Sequence, residues 1–252
     1  MVFDEFGLQP EEKITAGRFG EVIVSRRVKT GKATEVYICK KPGGGGIVVK
    51  RGLVKAHQDQ IDLLGLIMGD PNPGVLVPLD FSVNESGQLE EIYDYTYLNT
   101  LYDMTKFGCF LNTPTVIEIA KGISSSLAFF HNAGFVHHDV RRPNVFVHMA
   151  PIITVKMFDY DASRRPYSGR ERLDLNDTAP EYKSSDNISF SYDIYQLGKV
   201  LDFMSRSPYF QDRDNKTKNV IDKATSEKPS NRYQDGSEML EVISELESVL
   251  TK

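Results

Sequence analysis

The sequence predicts an α+β fold in which a small antiparallel sheet comes first and a larger, mainly helical part follows. Up to about residue 96, short β-rich runs alternate with clusters of Gly, Pro and Asn. Beyond residue 97, longer stretches repeat apolar residues at helical spacing. We expect one domain over 1–252, in which the strands form a first lobe over 1–96, including a short N-terminal extension, and the helices a second lobe over 97–252.

Composition limits the classes of protein to consider. A chain of 252 residues can bury a sizeable core, and a formal net charge of −5 does not favour a protein whose main task is to bind nucleic acid. The acidic start MVFDEFGLQPEE does not match a signal peptide, and the sequence has no uninterrupted apolar run of membrane-spanning length. Cys39 and Cys109 are expected as free buried thiols, which fits a reducing compartment. Taken together, these observations predict a cytoplasmic or nucleocytoplasmic protein without membrane or nucleic-acid partners.

The first lobe contains several β-rich runs and one helical pattern. The runs read as strands are EVIVSRRV, TEVYIC, GIVVKRG, VLVPLDFSV and LEEIYDY, with PGGGG at 42–46 as a hairpin turn. The helix is predicted in KAHQDQIDLLGLIM, where Ile61, Leu64, Ile67 and Met68 recur at helical spacing.

Helices dominate the second lobe. They are predicted in PTVIEIAKGISSSLAFFHNAG, in SYDIYQLGKVLDFMSRS and from about residue 235, with a short stranded segment over 135–158. Thr113 or Thr115 is expected to cap the first of these helices, and Gly134 follows its end.

A polar cluster interrupts two apolar runs in FVHHDVRRPNVFV. Phosphoryl transfer needs a base, a cation on the phosphates, and a divalent metal held by carboxylate and amide oxygens. The stretch resembles the catalytic loop H-R-D-x-x-x-x-N of protein kinases, with His137, Asp139 and Asn144 in matching positions. The resemblance implies that Asp139 is the base, that Arg141 contacts the transferring phosphate and that Asn144 binds Mg²⁺.

Further motifs follow in the order that protein kinases have them. Asp159 in VKMFDYDAS resembles the metal-binding Asp of D-F-G, and TAPEY contains A-P-E with Glu181. Asp193 in SYDIYQLG is similar to the start of the family's central helix, and Arg232 resembles the Arg that pairs with the A-P-E Glu. The chain therefore resembles the eukaryotic-type protein kinase superfamily, which implies a bilobal fold, with ATP as substrate and Mg²⁺ as cofactor.

Two registers compete for the nucleotide loop and its lysine. In one, AGRFGEVIV is the loop, with Gly17 and Gly20, and Lys40 is the phosphate-contacting residue. In the other, VKTGKATEVYIC is the loop, with Gly31 as its only glycine, and Lys50 occupies the lysine position in IVVK. The hairpin through PGGGG favours Lys50, and AGRFGEV then forms an N-terminal strand or turn.

The lysine partner and the adenine contacts follow from the same resemblance. The predicted helix places Gln60 where protein kinases carry a Glu, and a Gln can hydrogen-bond an ammonium without neutralising it. Tyr93 is expected as the gatekeeper, with backbone groups of Asp94 and Thr96 facing adenine.

Three further positions depart from the family pattern. Asp161 replaces the Gly of D-F-G, and Asp174 stands where Ser/Thr kinases usually carry a Thr. His138 replaces the Arg that receives an activation-loop phosphate, so activity is expected not to require phosphorylation at Tyr167 or Ser168.

The sequence as a whole predicts an ATP- and Mg²⁺-dependent phosphotransferase that acts on Ser/Thr or Tyr hydroxyls of a protein substrate. The alternative is a pseudokinase, a non-catalytic module that binds a regulatory protein partner. A small-molecule kinase is less favoured, because A-P-E and the closing Arg point to protein kinases.

Overall fold

The computed structural model describes residues 12–30, 33–95, 99–108, 111–149, 151–168, 178–183, 188–212 and 215–250. Backbone contacts divide the chain into two compact units. The first unit ends at Met68 and resumes at Val77 for the last strands of its sheet, and the second contains Gly69–Leu76 and the chain from Asn99 onward. The predicted α+β arrangement, with a sheet first and helices later, is confirmed.

The first unit is built on one antiparallel sheet. Its strands are β1 (Lys13–Thr15), β2 (Glu21–Thr30), β3 (Thr34–Lys40), β4 (Gly46–Lys55), β5 (Asp80–Val83) and β6 (Gln88–Asp94). They lie in the order β1-β2-β3-β4-β6-β5. The predicted hairpin is confirmed, since β3 and β4 pair across a turn in which Gly43, Gly44 and Gly45 have positive φ, a conformation that favours glycine.

Side chains alternate between the two faces of the sheet, and apolar side chains are buried together on one of them. Ile47 and Val49 of β4 pack there with Ile92 of β6 and with Cys39 of β3. Cys39 is buried and free, as predicted. Burial raises the pKa of its thiol to about 11, so the thiol stays protonated at neutral pH. Cys109 lies outside the described residues.

Helix α1 (Gln58–Gly69) follows β4, as predicted, but with a different buried face. Of the four residues expected on that face, Leu64 and Ile67 are buried, whereas Ile61 is only half-buried and Met68 is exposed. The helical repeat of 3.6 residues centres the buried stripe on Gln60, Leu63, Leu64 and Ile67.

The second unit is mainly helical. Its helices are α2 (Leu101–Lys106), α3 (Thr113–Asn132), α4 (Ser191–Ser205), α5 (Lys216–Ala224) and α6 (Gly236–Leu250). A small sheet joins β7 (Asn99–Thr100), β8 (Val145–His148) and β9 (Thr154–Met157) in that order. In the described part of the chain, no helix has the length and apolar content needed to cross a membrane.

Helix α3 forms the centre of the second unit and packs against α4, α6 and β9. Gly122 allows the close approach to β9, because a Cβ at this position would lie 2.5 Å from Cβ of Val155. The predicted cap was wrong: Asn112, not Thr113 or Thr115, caps α3, with its side-chain oxygen accepting a hydrogen bond from the Thr115 amide at 3.0 Å.

A buried ion pair links two segments of the second unit that are distant in sequence. The Arg232 guanidinium donates two hydrogen bonds to Glu181, at 2.6 and 2.7 Å, as the sequence predicted for these two residues. Its remaining N–H groups reach the backbone oxygens of Ser226, Ser191 and Glu227. All five guanidinium donors are therefore satisfied within the protein, and the Arg232 side chain is fully buried.

Replacing this arginine tests the contribution of the pair. We expect Arg232→Met to lower the free energy of unfolding by about 3–5 kcal/mol, because it leaves the Glu181 carboxylate without its charged partner. Urea denaturation measures the change. Arg206→Met, which removes a solvent-exposed pair with Asp202, is the control and should cost less than about 1 kcal/mol. Equal losses in the two variants would contradict the expectation.

Candidate active site

The polar cluster of the sequence is anchored by one buried carboxylate. Asp193, in the first turn of α4, is fully buried and accepts hydrogen bonds from the backbone amides of His137 and His138, at 2.7 and 2.8 Å. Its Oδ2 also lies 3.0 Å from Nε2 of His131. The helix therefore fixes the backbone just before Asp139.

His131 serves Asp193 as a neutral hydrogen-bond donor. Its Nδ1 accepts a hydrogen bond from the Gly236 amide at 2.9 Å, so the proton lies on Nε2, which faces Asp193. Burial by itself would raise the pKa of Asp193, but the hydrogen bond from His131 opposes this effect, and the pKa lies below its ordinary value. Asp193 is therefore ionised at neutral pH and holds both backbone amides as a charged acceptor.

Hydrogen bonds from consecutive backbone amides to side chains also hold the turn that carries Asp139. The Asp139 amide lies 3.3 Å from Nδ1 of His137, and the Val140 amide donates to Gln196 of α4 at 3.0 Å. Burial lowers the pKa of His137, which keeps the ring neutral and able to accept. His138 has a φ of 67°, a left-handed conformation that costs energy in a non-glycine residue and commonly occurs at functional sites.

The two oxygens of the Asp139 carboxylate have different surroundings. Oδ2 accepts hydrogen bonds from Nδ2 of Asn144 at 2.6 Å and from Nε of Arg141 at 3.1 Å. Oδ1 lies 2.9 Å from the same Arg141 nitrogen, but is buried and accepts no hydrogen bond of good geometry from the described residues. Among the described residues, Oδ1 thus keeps hydrogen-bonding capacity that Oδ2 does not.

Burial also sets the charge state of this carboxylate. Desolvation raises the pKa of Asp139, and the nearby Asp159 carboxylate acts in the same direction. The guanidinium of Arg141 and the hydrogen bond from Asn144 oppose the rise. A carboxyl with a raised pKa is a stronger base than an exposed aspartate, which suits general-base chemistry.

A short hairpin brings the second predicted metal ligand to the same place. Strands β8 and β9 pair so that Val145 opposes Met157, and the Phe158 amide donates to the Asn144 carbonyl at 3.1 Å. Asp159, which follows directly, is partly exposed and has a left-handed φ of 67°. The hairpin therefore places Asn144, just before β8, beside the segment that carries Asp159, just after β9.

The oxygens gathered here fit Mg²⁺. Asn144 uses its Nδ2 group to bind the carbonyl and carboxylate of Asp139, which leaves its amide oxygen facing away from Asp139. One carboxylate and one amide oxygen are typical of protein Mg²⁺ sites, where substrate phosphates and water complete the coordination. The described residues contain no group of three or more His, Cys, Asp or Glu arranged to hold a metal.

Tyr160 fixes the residues after Asp159. Its ring is fully buried, and its hydroxyl lies 2.8 Å from the Leu76 carbonyl and 2.9 Å from the Met157 carbonyl. The ring also packs against Phe130 and His137. Asp161, which replaces the expected glycine, follows in a turn.

In the first unit, the structure pairs Lys50 with a residue that sequence reasoning missed. Lys50 Nζ lies 3.0 Å from Oε2 of Glu91, its direct cross-strand neighbour on β6. Gln60, the predicted partner position, is buried on α1. Lys40, the competing lysine, is exposed at the end of β3. No local signal in LEEIYDY identifies Glu91, because the pairing depends on how β4 and β6 align.

The segment AGRFG forms a 3-10 turn over Gly17–Phe19, between β1 and β2. Its amides are already used: that of Gly17 donates to Glu90 at 3.0 Å, and that of Arg18 donates to Asp80 at 3.0 Å. A phosphate would have to displace these carboxylates. This arrangement agrees with a turn before the nucleotide loop and favours the Lys50 register.

The other expected nucleotide contacts are only partly described. Tyr93 is buried near the end of β6, and Asp94 is exposed at its last position. Gly31, Thr96 and Asp174 lie outside the described residues, so their predicted roles remain predictions.

Comparison with known proteins agrees with this geometry. The family model described as the protein kinase domain matches residues 8–251. Myosin light chain kinase 2, skeletal/cardiac muscle, of Oryctolagus cuniculus is 28% identical over 231 residues, which are 87% of this chain and 36% of that protein. Mitogen-activated protein kinase kinase kinase 13-B of Xenopus laevis is 26% identical over 114 residues, 44% of this chain and 12% of that protein.

A solved structure shows the same fold. The Cydia pomonella granulovirus kinase PK-1 superposes with a TM-score of 0.74 at 18% identity, over 86% of this chain and 91% of that one. The chain belongs to the protein kinase family, because the family model covers nearly all of it. It spans about a third of the length of the myosin light chain kinases that it matches.

Asp193 offers a direct test of how the site is held. We expect Asp193→Asn to lower the free energy of unfolding by about 3 kcal/mol, because an amide presents one acceptor where three donors converge. Thermal and urea unfolding measure the change. Asp202→Asn on the same helix, part of an exposed pair, is the matched control. A loss in Asp193→Asn no larger than in the control would contradict the anchoring role.

Proposed function

We propose that the chain is an ATP- and Mg²⁺-dependent phosphotransferase that acts on protein hydroxyls. The Asp139 carboxylate carries the proposal: Asn144 and Arg141 fix Oδ2, while the buried Oδ1 accepts no hydrogen bond from the described residues. A carboxylate held in this way can orient a substrate hydroxyl and accept its proton. Asp139 is accordingly assigned as the catalytic base.

The remaining groups are assigned by the resemblance to protein kinases. Lys50 and Arg141 are the cations that contact phosphates, and Asn144 and Asp159 are the ligands that would hold Mg²⁺. The metal, when bound, neutralises charge on the phosphate oxygens. The glycine loop around Gly31 and the backbone groups of Asp94 and Thr96 are proposed to bind the nucleotide.

The acceptor is proposed to be a protein, with Ser or Thr favoured over Tyr. The matched relatives are named as kinases of myosin light chain, a protein substrate. The Glu181–Arg232 pair, which the resemblance ties to protein kinases rather than small-molecule kinases, is formed in the structure. A cytoplasmic or nucleocytoplasmic location, with ATP and a protein substrate as partners, completes the proposal.

A non-catalytic regulatory module is the second candidate. Two observations favour it: Gln60 stands where a Glu is expected on α1, and Asp161 replaces the glycine after Asp159 and Tyr160. Such a module could bind nucleotide without turnover. Nucleotide binding and turnover must therefore be measured separately.

Transfer of labelled phosphate from ATP tests the proposed function. The purified protein with Mg²⁺ and generic protein acceptors is expected to incorporate label. Asp139→Asn and Asp159→Ala should abolish incorporation, because they remove the base and a metal ligand. Asp202→Asn is the surface control. Binding of Mg·ATP without label transfer above the Asp139→Asn background would reject the enzyme and support the regulatory module.

Activity is expected not to require phosphorylation after the Asp159 segment. His138 occupies the position of the phosphate-receiving Arg, and it is buried beside the Tyr192 ring with its amide bound to Asp193. Phosphatase treatment should therefore leave turnover at its starting level. A large gain in turnover on phosphorylation of the exposed Tyr167 or of Ser168 would contradict this expectation.

A further inference from the structure

The pair between Lys50 and Glu91 is built into the sheet of the first unit. The two residues oppose each other on β4 and β6, with Nζ and Oε2 separated by 3.0 Å. The Glu91 side chain is 1% exposed and that of Lys50 is 14% exposed. A carboxylate this deeply buried is costly unless it is paired, so Glu91 is fixed on the lysine and is not a surface charge that happens to lie nearby.

The next glutamate along the strand shows that this pairing is selective. Glu90 points to the opposite face of the sheet, since side chains alternate along a strand. There it pairs with Arg51 at 2.7 Å and accepts the amide of Gly17. The two adjacent glutamates thus serve two different cations, and only Glu91 faces Lys50.

We propose that Glu91 is the positioning residue that holds Lys50 for the nucleotide phosphates, in place of a carboxylate on helix α1. The inference rests on the proposed function, in which Lys50 contacts phosphate. Helix α1 presents the uncharged Gln60 at the corresponding position, whereas β6 supplies the negative charge directly across the ladder.

The backbone ladder makes this arrangement rigid. Strands β4 and β6 pair continuously from Ile47 to Arg51, so the residues on both sides of Lys50 are held against β6. The ladder therefore presents Lys50 to Glu91 within the sheet itself, and this ion pair forms without a movement of α1. A kinase lysine oriented in this way is positioned before nucleotide arrives.

The opposite hypothesis is that the ion pair with Glu91 prevents Lys50 from contacting nucleotide phosphates. The two readings predict changes of opposite sign when the carboxylate is removed. Removal lowers nucleotide affinity and turnover if Glu91 positions the lysine, and raises them if Glu91 sequesters it.

The experiment compares Glu91→Gln with Glu90→Gln as the matched control. Each removes one carboxylate from β6 and breaks one ion pair, but only the first touches Lys50. We expect Glu91→Gln to lower kcat/KM for ATP by about 100-fold, the effect of misplacing a reacting group by about 1 Å. Mg·ATP affinity should fall with it, while Glu90→Gln retains both values. Thermal unfolding of each variant shows that it is folded.

Glu91→Asp separates positioning from charge neutralisation. It keeps the negative charge but shortens the side chain, so it should fold and still lose kcat/KM for ATP. In a Lys50→Met background, Glu91→Gln should cause no further loss of nucleotide affinity, because Glu91 acts through Lys50. Wild-type kcat/KM in Glu91→Asp, a loss in Glu91→Gln no larger than in Glu90→Gln, or a gain in either Glu91 variant would each overturn the inference.

Affinity measurements keep the two proposals distinguishable. If the wild-type protein binds Mg·ATP without turnover, and Glu91→Gln weakens that binding, the enzyme is rejected and the role of Glu91 stands. If the wild type turns over and the two glutamate variants behave alike, only the inference fails. A wild-type protein that neither binds nor turns over ATP overturns both.

Discussion

The architecture of the candidate site depends on the buried carboxylate of Asp193. It gathers two consecutive backbone amides from the segment before Asp139 and a neutral histidine from the end of α3. Ordinary secondary structure cannot satisfy those amides, because the chain there turns with His138 in a left-handed conformation. A charged acceptor at the start of α4 stabilises the turn, so the helix holds the segment that carries Asp139.

The two units solve the same physical problem separately. In the second, a buried acid in a helix holds the backbone that presents Asp139. In the first, a buried acid in a strand holds the side chain of Lys50. Each acid is stabilised by its partners and in turn restricts them, which is the preorganisation that phosphoryl transfer needs.

Local patterns predicted much of this structure. The turn through PGGGG follows from turn chemistry, and the pairing of Glu181 with Arg232 was implied by the resemblance to protein kinases. The buried face of α1 was only partly predicted. Apolar residues beside the buried stripe, such as Ile61 and Met68, also recur at roughly helical spacing, so the sequence pattern did not separate them from the buried ones. The partnership of Lys50 and Glu91 could not be predicted, since it depends on how two strands distant in sequence align.

The two adjacent glutamates of β6, Glu90 and Glu91, affect what determines the register of β6 against β4. Shifting β6 by one residue along β4 would turn Glu90 toward the face of Lys50 and Glu91 away from it, so a carboxylate would meet the lysine in either alignment. Charge alone therefore does not choose the alignment. The choice falls to Ile92, which is buried in the apolar face opposite Val49 and whose place there would be taken by Glu91 after such a slip. An apolar residue thus decides which acid pairs with the lysine.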